Sequence, residues 1–354
     1  MKKVTFECET ITPLFLGEAK KEMVELRPPA IKAAMRFWWR AMHADLSPGD
    51  MKKLEADIFG GGGNNAKSAD FDIVLSEPNH VPVPYNYPHN PIEGINMGTT
   101  LGIQYLMYTF FYLKHKGNYF PPTTTFYVSF YFDNNNRHIN QILASFWLLV
   151  FLGNIGERAR RGFGSINVIS NIDEDHLLGD FNFTTYNLEA IRAGLNMIKS
   201  SEGFVPPSET LTINNSFSHI FNKEIYFSNT RYRTWKDALD DIGSKMSNFR
   251  LNNTDITLAD ITSHHLFADK SAIFGLPIKH SNGSTVKPQD FNRRASPLII
   301  KIIQVGLREF RWMLIRLEGD FLPTGHTALN IVGTANNSVL TTFLNPTTLN
   351  MTII

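Results

Sequence analysis

Residues 138–152 read HINQILASFWLLVFL, and from Ile142 to Leu152 only Ser145 carries a polar side chain. The segment reads as a helix, and a helix without a polar face must be buried by the rest of the chain. It is too short for a bilayer, which needs ~20 apolar residues, and no uninterrupted apolar stretch in the chain reaches that length. The fold therefore has to enclose this helix within protein. Hydrophobic residues make up 43% of the chain and charged residues 19%, so the apolar surface for a packed core is present. With 354 residues the chain exceeds the commonest single-domain size, and two domains are expected.

The flanking segments supply the enclosure. Residues 3–11, KVTFECETI, alternate with period two and predict a half-buried strand. ELRPPAIKAAMRFWWRAM at 25–42 predicts a helix launched by Pro28 and Pro29. The short amphipathic piece MKKLEADIF runs into GGGGNN, and ADFDIVLSE then predicts a second alternating strand. After a Pro- and Asn-rich connection at 81–94, the aromatic content of LGIQYLMYTFFYL (101–113) favours a strand or a strand with a bend. TTTFYVSFYFD at 123–133 predicts another strand, and SINVIS follows the apolar helix as one more. In outline, residues 1–170 read β-α-β-β-α-β, the ferredoxin-like order. In the second half, helices are expected at 186–199 and 230–247, with strands at 272–279, 297–304 and 310–317. An Ile-Phe-Gly turn occurs in both halves, at 58–60 and 273–275, which hints at duplication without establishing it.

Cys8 is the only cysteine, which excludes an intrachain disulfide and a cysteine-based zinc site and fits a reducing compartment. MKKVTFECET begins as a strand and not as a cleavable signal, so a cytoplasmic location without membrane contact is expected. The net charge of +1 leaves a nucleic-acid partner open, because such sites depend on where cations cluster.

Three clusters stand out. In the first helix Lys32, Arg36, Arg40 and His43 recur at intervals of four, four and three. At about 100° per residue they fall within an arc of roughly 80°. Trp38, Trp39, Met35, Phe37 and Met42 occupy most of the remaining circumference, and no acid follows at i+4, so the stripe either snorkels or faces a polyanion. The second cluster is the loop GNIGERARRGFG, with Gly153, Gly156, Gly162 and Gly164 interleaved with Arg158, Arg160 and Arg161. It lacks the Gly-Lys-Ser/Thr of a phosphate-binding loop, and it runs from helix to strand, the reverse of a dinucleotide fingerprint. Phosphate contact through the arginines competes with a solvated turn in which Arg158 pairs with Glu157. The third cluster is Arg293-Arg294-Ala-Ser296-Pro297, just before PLIIKIIQ.

Catalytic candidates are few. His264 and His265 are adjacent and point apart, and Asp173-Glu174-Asp175-His176 reads as a solvated linker. HExxH and Gly-x-Ser-x-Gly are both absent. Neither a metal nor a cofactor is expected. His43 alone sits with a basic stripe, where it could act as general base in metal-free RNA cleavage or serve as a structural contact.

Four stretches, ITPLFLGEA (11–19), ELRPPAIKAAMRFWWRA with IFGG, GERARRGFGS (156–165), and FGLPI with RRASPL, resemble the RAMP-superfamily CRISPR-associated proteins. Within that superfamily the similarity is to the subunit-one family of the Cmr (type III-B) RNA-guided effector. The resemblance covers most of the chain, although Ala33 stands where the family often has glycine and the IFGG turn is extended to GGGG. It implies an α+β chain of two tandem ferredoxin-like (RRM-like, βαββαβ) domains, divided as 1–172 and 173–354. The partners it implies are guide RNA, target RNA and other Cmr subunits. Its RNA-facing positions fall on Arg27, Lys32, Arg36, Arg40, Arg158, Arg160, Arg161, Arg293 and Arg294, with Gly153, Gly156, Gly162 and Gly164 admitting the RNA backbone. The expected role is a non-catalytic RNA-binding subunit that contacts RNA near the 3′ end of the guide. The alternative is a metal-independent endoribonuclease using His43, although that group carries its Gly-rich loop near the C-terminus and not mid-chain.

Overall fold

The computed structural model describes residues 1–16, 25–62, 66–86, 92, 95, 98–108, 110, 116–200, 213–252, 272–276, 278–279, 285–288, 292–322 and 337–354. In chain order the elements are β1 (Lys2–Thr10), α1 (Pro28–Met42), α2 (Pro48–Phe59), β2 (Phe71–Leu75), β3 (Val83–Asn86), α3 (Leu101–Leu106), β4 (Lys116–Tyr119), β5 (Thr125–Phe132), α4 (Ile139–Leu152) and β6 (Ile166–Ile172). The second half adds α5 (Leu188–Ser200), β7 (His219–Ser228), α6 (Trp235–Asn252), a 3₁₀ turn (Ala272–Phe274), β8 (Ile278–Lys279), β9 (Thr285–Val286), β10 (Leu298–Gly306) and β11 (Glu309–Glu318). It closes with α7 (Asn337–Phe343), α8 (Pro346–Leu349) and β12 (Met351–Ile353).

Two four-stranded antiparallel sheets carry the fold, in the orders β2-β5-β1-β6 and β10-β11-β7-β12. When the four strands of each sheet are numbered by their sequence order, both read 2-3-1-4, the ferredoxin-like arrangement. The Ile-Phe-Gly turns are equivalent as well. Each follows a helix and precedes the second strand of its sheet, each glycine has positive φ (84° at Gly60, 119° at Gly275), and each is followed by an isolated antiparallel bridge, Gly61 to Lys67 and Leu276 to Arg294. The hint of duplication in the sequence is matched by topology.

The sheets differ in what covers them. Val4, Phe6, Phe126, Val128 and Phe130 on one face of the first sheet pack with the buried residues of α1 and α4, while Lys3, Val74 and Tyr127 on that sheet are exposed. The second sheet is covered on both faces. Ile225, Phe227, Ile299, Ile303 and Ile315 join the core of α1 and α4, whereas Leu298, Ile300, Ile302, Trp312 and Leu314 pack with Leu239 and Ile242 of α6. Helix α4 thus lies between the two sheets, and every residue from Ile142 to Leu152 is buried. Burial of Trp38, Trp39 and Trp147 contributes on the order of 2–3 kcal/mol each. The linking segment packs on this core: Trp147 Nε1 donates to Asn182 O at 2.9 Å, and Phe151 stacks on Tyr186 at 4.7 Å. Asp173 accepts from the amides of Leu177 and Leu178, both at 2.8 Å, so the acidic turn caps its own chain.

Two expected strands take another form. Residues 101–106 are helical, because Gly102 and Gly243 let α3 and α6 touch backbone to backbone; a Cβ on Gly102 would lie 1.9 Å from Asp240 O. This packing overrides the strand preference of the aromatic residues. Residues 272–274 form the 3₁₀ turn, with pairing limited to Leu276 and the two-residue β8. The pair His264-His265 lies outside the described residues.

Candidate nucleic-acid interface

Helix α1 starts with proline at its first positions, and Arg27 at its N-cap makes no side-chain capping bond. Its apolar side is anchored by Ile31, Met35, Trp38, Trp39 and Met42, and Trp39 Nε1 donates to Gln141 Oε1 at 3.0 Å. The cationic stripe does meet an acid, contrary to the sequence reading, because α2 brings Glu55 alongside it. Arg36 lies 3.2 Å from Glu55 and donates to Phe59 O at 2.7 Å and to Gly60 O; Arg40 lies 2.7 Å from the same carboxylate. Lys32 lies over the Phe71 ring at 5.0 Å, and burial lowers its pKa. Arg27 is exposed, 3.8 Å from Glu25. Arg36 and Arg40 therefore fasten α2 and its turn to α1.

His43 is only 3% exposed, its ring lies 4.3 Å from that of Trp39, and burial lowers its pKa to about 4. It is neutral at physiological pH, but a ring enclosed in this way is out of reach of a 2′-hydroxyl.

The Gly-rich loop runs from α4 to β6 and is built into the molecule. Gly153, Gly162 and Gly164 are buried and only Gly156 is exposed, so three of the four serve packing and not the approach of a ligand. At Gly164 (φ 69°) a Cβ would lie 1.8 Å from Ile155 O, which excludes every other residue. The loop seals the free edge of β10. Ile300 N donates to Arg160 O at 3.2 Å, Asn154 Nδ2 donates to Ile300 O at 2.8 Å, and Ile302 N donates to Ser165 Oγ at 3.2 Å. Asn167 Nδ2 completes the edge on Gln304 O at 3.1 Å. Behind it the buried Lys301 Nζ donates to Gly153 O at 2.8 Å and Ile166 O at 3.1 Å, with burial lowering its pKa to about 7.

The loop arginines point away from this edge and meet carbonyls, not carboxylates. Arg160 lies over the Phe37 ring of α1 at 4.9 Å and donates to Ser296 O. Arg161 donates to Phe274 O at 2.7 Å, and Arg158, at φ 59°, donates to Leu106 O. Among the described residues no carboxylate lies within ion-pairing distance of the three, Glu157 included. Burial, then the neighbouring cations, lowers Arg158 and Arg160 to about 10, so both stay charged at neutral pH. Arg294 is among the cations that depress Arg160, and it donates to Asp320 O at 2.5 Å, while Arg293 is exposed.

Arg160 thus touches α1 through Phe37 and the third basic segment through Ser296. The loop, helix α1 and the 293–296 segment meet there, although Arg160 touches α1 through Phe37 and not through the cationic stripe, and Glu55 offsets one of that stripe's charges. Sequence reading assigned Phe37 to the core and did not single out Glu55, Arg250 or Lys301. Their partners lie on other elements, and no local spacing marks them.

A chain of paired 2-3-1-4 sheets with a Gly-rich arginine loop across the seam defines a class. Residues 7–167 match the model of the RAMP superfamily. Its relatives include the CRISPR system Cmr subunit Cmr1-1 of Pyrococcus furiosus, 26% identical over 329 residues that cover 90% of this chain and 88% of that protein. Cmr1-2 of the same organism is 27% identical over 185 residues, 48% of this chain and 96% of the relative. The fold matches the crystal structure of Cmr1 from Pyrococcus furiosus (apo form) with a TM-score of 0.65 at 21% identity, covering 100% of this chain and 98% of that one. It also matches a chain of the cryo-EM structure of the Type III-B Cmr-beta bound to cognate target RNA, with a TM-score of 0.61 at 15% identity, over 97% and 98% of the two chains.

Proposed function

We propose that this chain is a non-catalytic, RNA-contacting subunit of a type III-B Cmr effector complex, touching guide or target RNA near the 3′ end of the guide and supporting target capture. The two RAMP domains are taken as 1–172 and 173–354, with guide RNA, target RNA and other Cmr subunits as partners. The names of the Pyrococcus relatives and the RNA-bound assembly that contains a chain of this fold support this reading. The observation that carries it is the convergence on Arg160 of α1, the Gly-rich loop and the 293–296 segment, without an ion-paired carboxylate on the loop arginines.

The chemistry suits a strand of arbitrary sequence. Guanidinium groups bind phosphates and 2′-hydroxyls without reading base edges, and base pairing then supplies specificity. The contact set proposed is Arg27, Lys32, Gly156, Arg160, Arg293 and Arg294, with Arg36 and Arg40 holding the scaffold. A nuclease based on His43 is disfavoured by the burial of its ring. Incubating the protein with repeat-containing RNA in EDTA tests this directly: intact RNA is expected, and site-specific cleavage lost in His43→Ala overturns the non-catalytic reading. The RNA role is tested by binding a labelled single-stranded RNA across a salt series. Arg160→Glu together with Arg293→Glu is expected to weaken binding and flatten its salt dependence, and an unchanged affinity and slope sinks the reading.

A further inference from the structure

A second group of guanidiniums meets on the far side of the loop, around α3, α6 and the 3₁₀ turn. Arg158 donates to Leu106 O at the C-terminal end of α3. Arg161 donates to Phe274 O at 2.7 Å and to Met246 Sδ at 3.6 Å. Arg250 of α6 donates to the Tyr105 hydroxyl at 2.6 Å, and its guanidinium lies 5.7 Å from the ring centroids of both Tyr105 and Phe274. Tyr105 and Leu106 are consecutive, Met246 and Arg250 are one helical turn apart, and Phe274 is shared by Arg161 and Arg250. The three cations therefore surround one corner of the molecule.

That corner has positive charge and spare donors but, among the described residues, no ion-paired carboxylate, with Glu157 acting on Arg158 only from a distance. Each guanidinium carries five N–H donors. The bonds above use four of them in total, one on a weak sulfur acceptor, and Nε of both Arg158 and Arg250 has no acceptor. No described carboxylate pairs with any of the three, and none of the three residues is fully buried. Arg161 and Arg250 face each other as like charges, and each additional cation in a poorly hydrated corner raises the cost unless an anion lies among them. Purely structural bonds to carbonyls would not need three permanent charges. A neutral amide or hydroxyl on α6 would meet the Tyr105 hydroxyl without repulsion.

We infer that Arg158, Arg161 and Arg250 form a phosphate site, with Tyr105 holding Arg250 in place, and that it takes a phosphate of the RNA strand contacted at the Arg160 seam. The inference rests on the RNA-contacting reading above. It extends the RNA path from the first domain and loop onto α6 of the second domain, and it makes Arg250 a contact residue that the sequence motifs do not include. Guanidinium forks match phosphate oxygens in pairs, which a lysine in the same place does not reproduce.

The test is a salt series of anisotropy titrations with a fluorescein-labelled oligouridylate that lacks terminal phosphates, repeated with the 3′-phosphorylated form. Arg250→Gln is expected to weaken binding roughly tenfold and to lower the log–log salt slope by about 0.7, the value for one phosphate of a single strand. Tyr105→Phe keeps all three charges and is expected to leave the slope unchanged. Arg250→Lys keeps the charge and covers the case in which Arg250→Gln does not fold. It should retain the slope and lose affinity several-fold, and wild-type affinity in that variant overturns the site. An effect seen with both oligonucleotides assigns an internal phosphodiester, and one confined to the 3′-phosphorylated form assigns a strand end. A folded Arg250→Gln that binds as wild type, while Arg160→Glu binds weakly, overturns the site and leaves the RNA reading standing. If neither variant changes binding, both fall.

Discussion

The α1 stripe and the Gly-rich loop look alike in sequence, both rich in arginine and both flanked by aromatic or small residues, yet the structure treats them differently. Arg36 and Arg40 share Glu55, which is only 12% exposed in its side chain, so one of their two charges is compensated within the protein. Arg158, Arg160 and Arg161 bond carbonyls and, for Arg161, the Met246 sulfur, and no described carboxylate pairs with them. A cation that needs a carboxylate to settle is a structural element, whereas one left without a carboxylate at a seam is available to an external anion. The difference lies in the partners and not in the spacing of the arginines.

Breaking the loop's backbone should have the largest effect. Gly164→Ala places a Cβ against Ile155 O at a positive φ and is expected to cost about 3 kcal/mol or more, read as a lower midpoint in urea denaturation. Next comes the charge that the loop holds at the seam. Arg160→Glu removes one cation and adds an anion, so single-stranded RNA should bind roughly 25-fold more weakly at 0.1 M salt, with a slope reduced by about 1.4. The compensated stripe should respond in the opposite sense. Glu55→Gln releases Arg36 and Arg40, and is expected to cost about 1–2 kcal/mol of stability while RNA affinity rises by up to about fivefold. Weaker RNA binding in a folded Glu55→Gln would erase the distinction between the two regions.

The smallest effect concerns pH. Lys301 is buried behind the loop with a pKa lowered to about 7, so between that value and the ordinary lysine range the unfolded chain binds more protons than the folded one. Stability from this group therefore rises with pH above 7 and is lost as pH falls through 7. Between pH 7 and 8 the gain is about 1 kcal/mol, and Lys301→Met should remove that slope in denaturation curves collected at the two pH values.

Much of the fold could be read from the chain because period-two strands and an apolar helix are local signals. β1, β2, β5, α4 and β6 stand close to where the alternation puts them. β7 escaped notice because Asn222-Lys223-Glu224 interrupts its apolar pattern, and β12 is only three residues long. Helix α3 was misread since its helicity comes from contact with α6 through Gly102 and Gly243, which lie far apart in sequence. The same reason limits the site. The cations themselves were visible, but the acid that quiets Arg36 is 19 residues away on another helix, and Arg250 looks like any arginine on an amphipathic helix.

The sealing of the β10 edge has a further consequence during synthesis on the ribosome. A free strand edge is a template for pairing with other chains, and domains generally fold in order of their emergence. The loop belongs to the half made first, so it is in place before Ile300 and Ile302 emerge to pair with it. A fragment beginning after β6 would present a bare β10 edge, and it should aggregate unless the first half is supplied in trans.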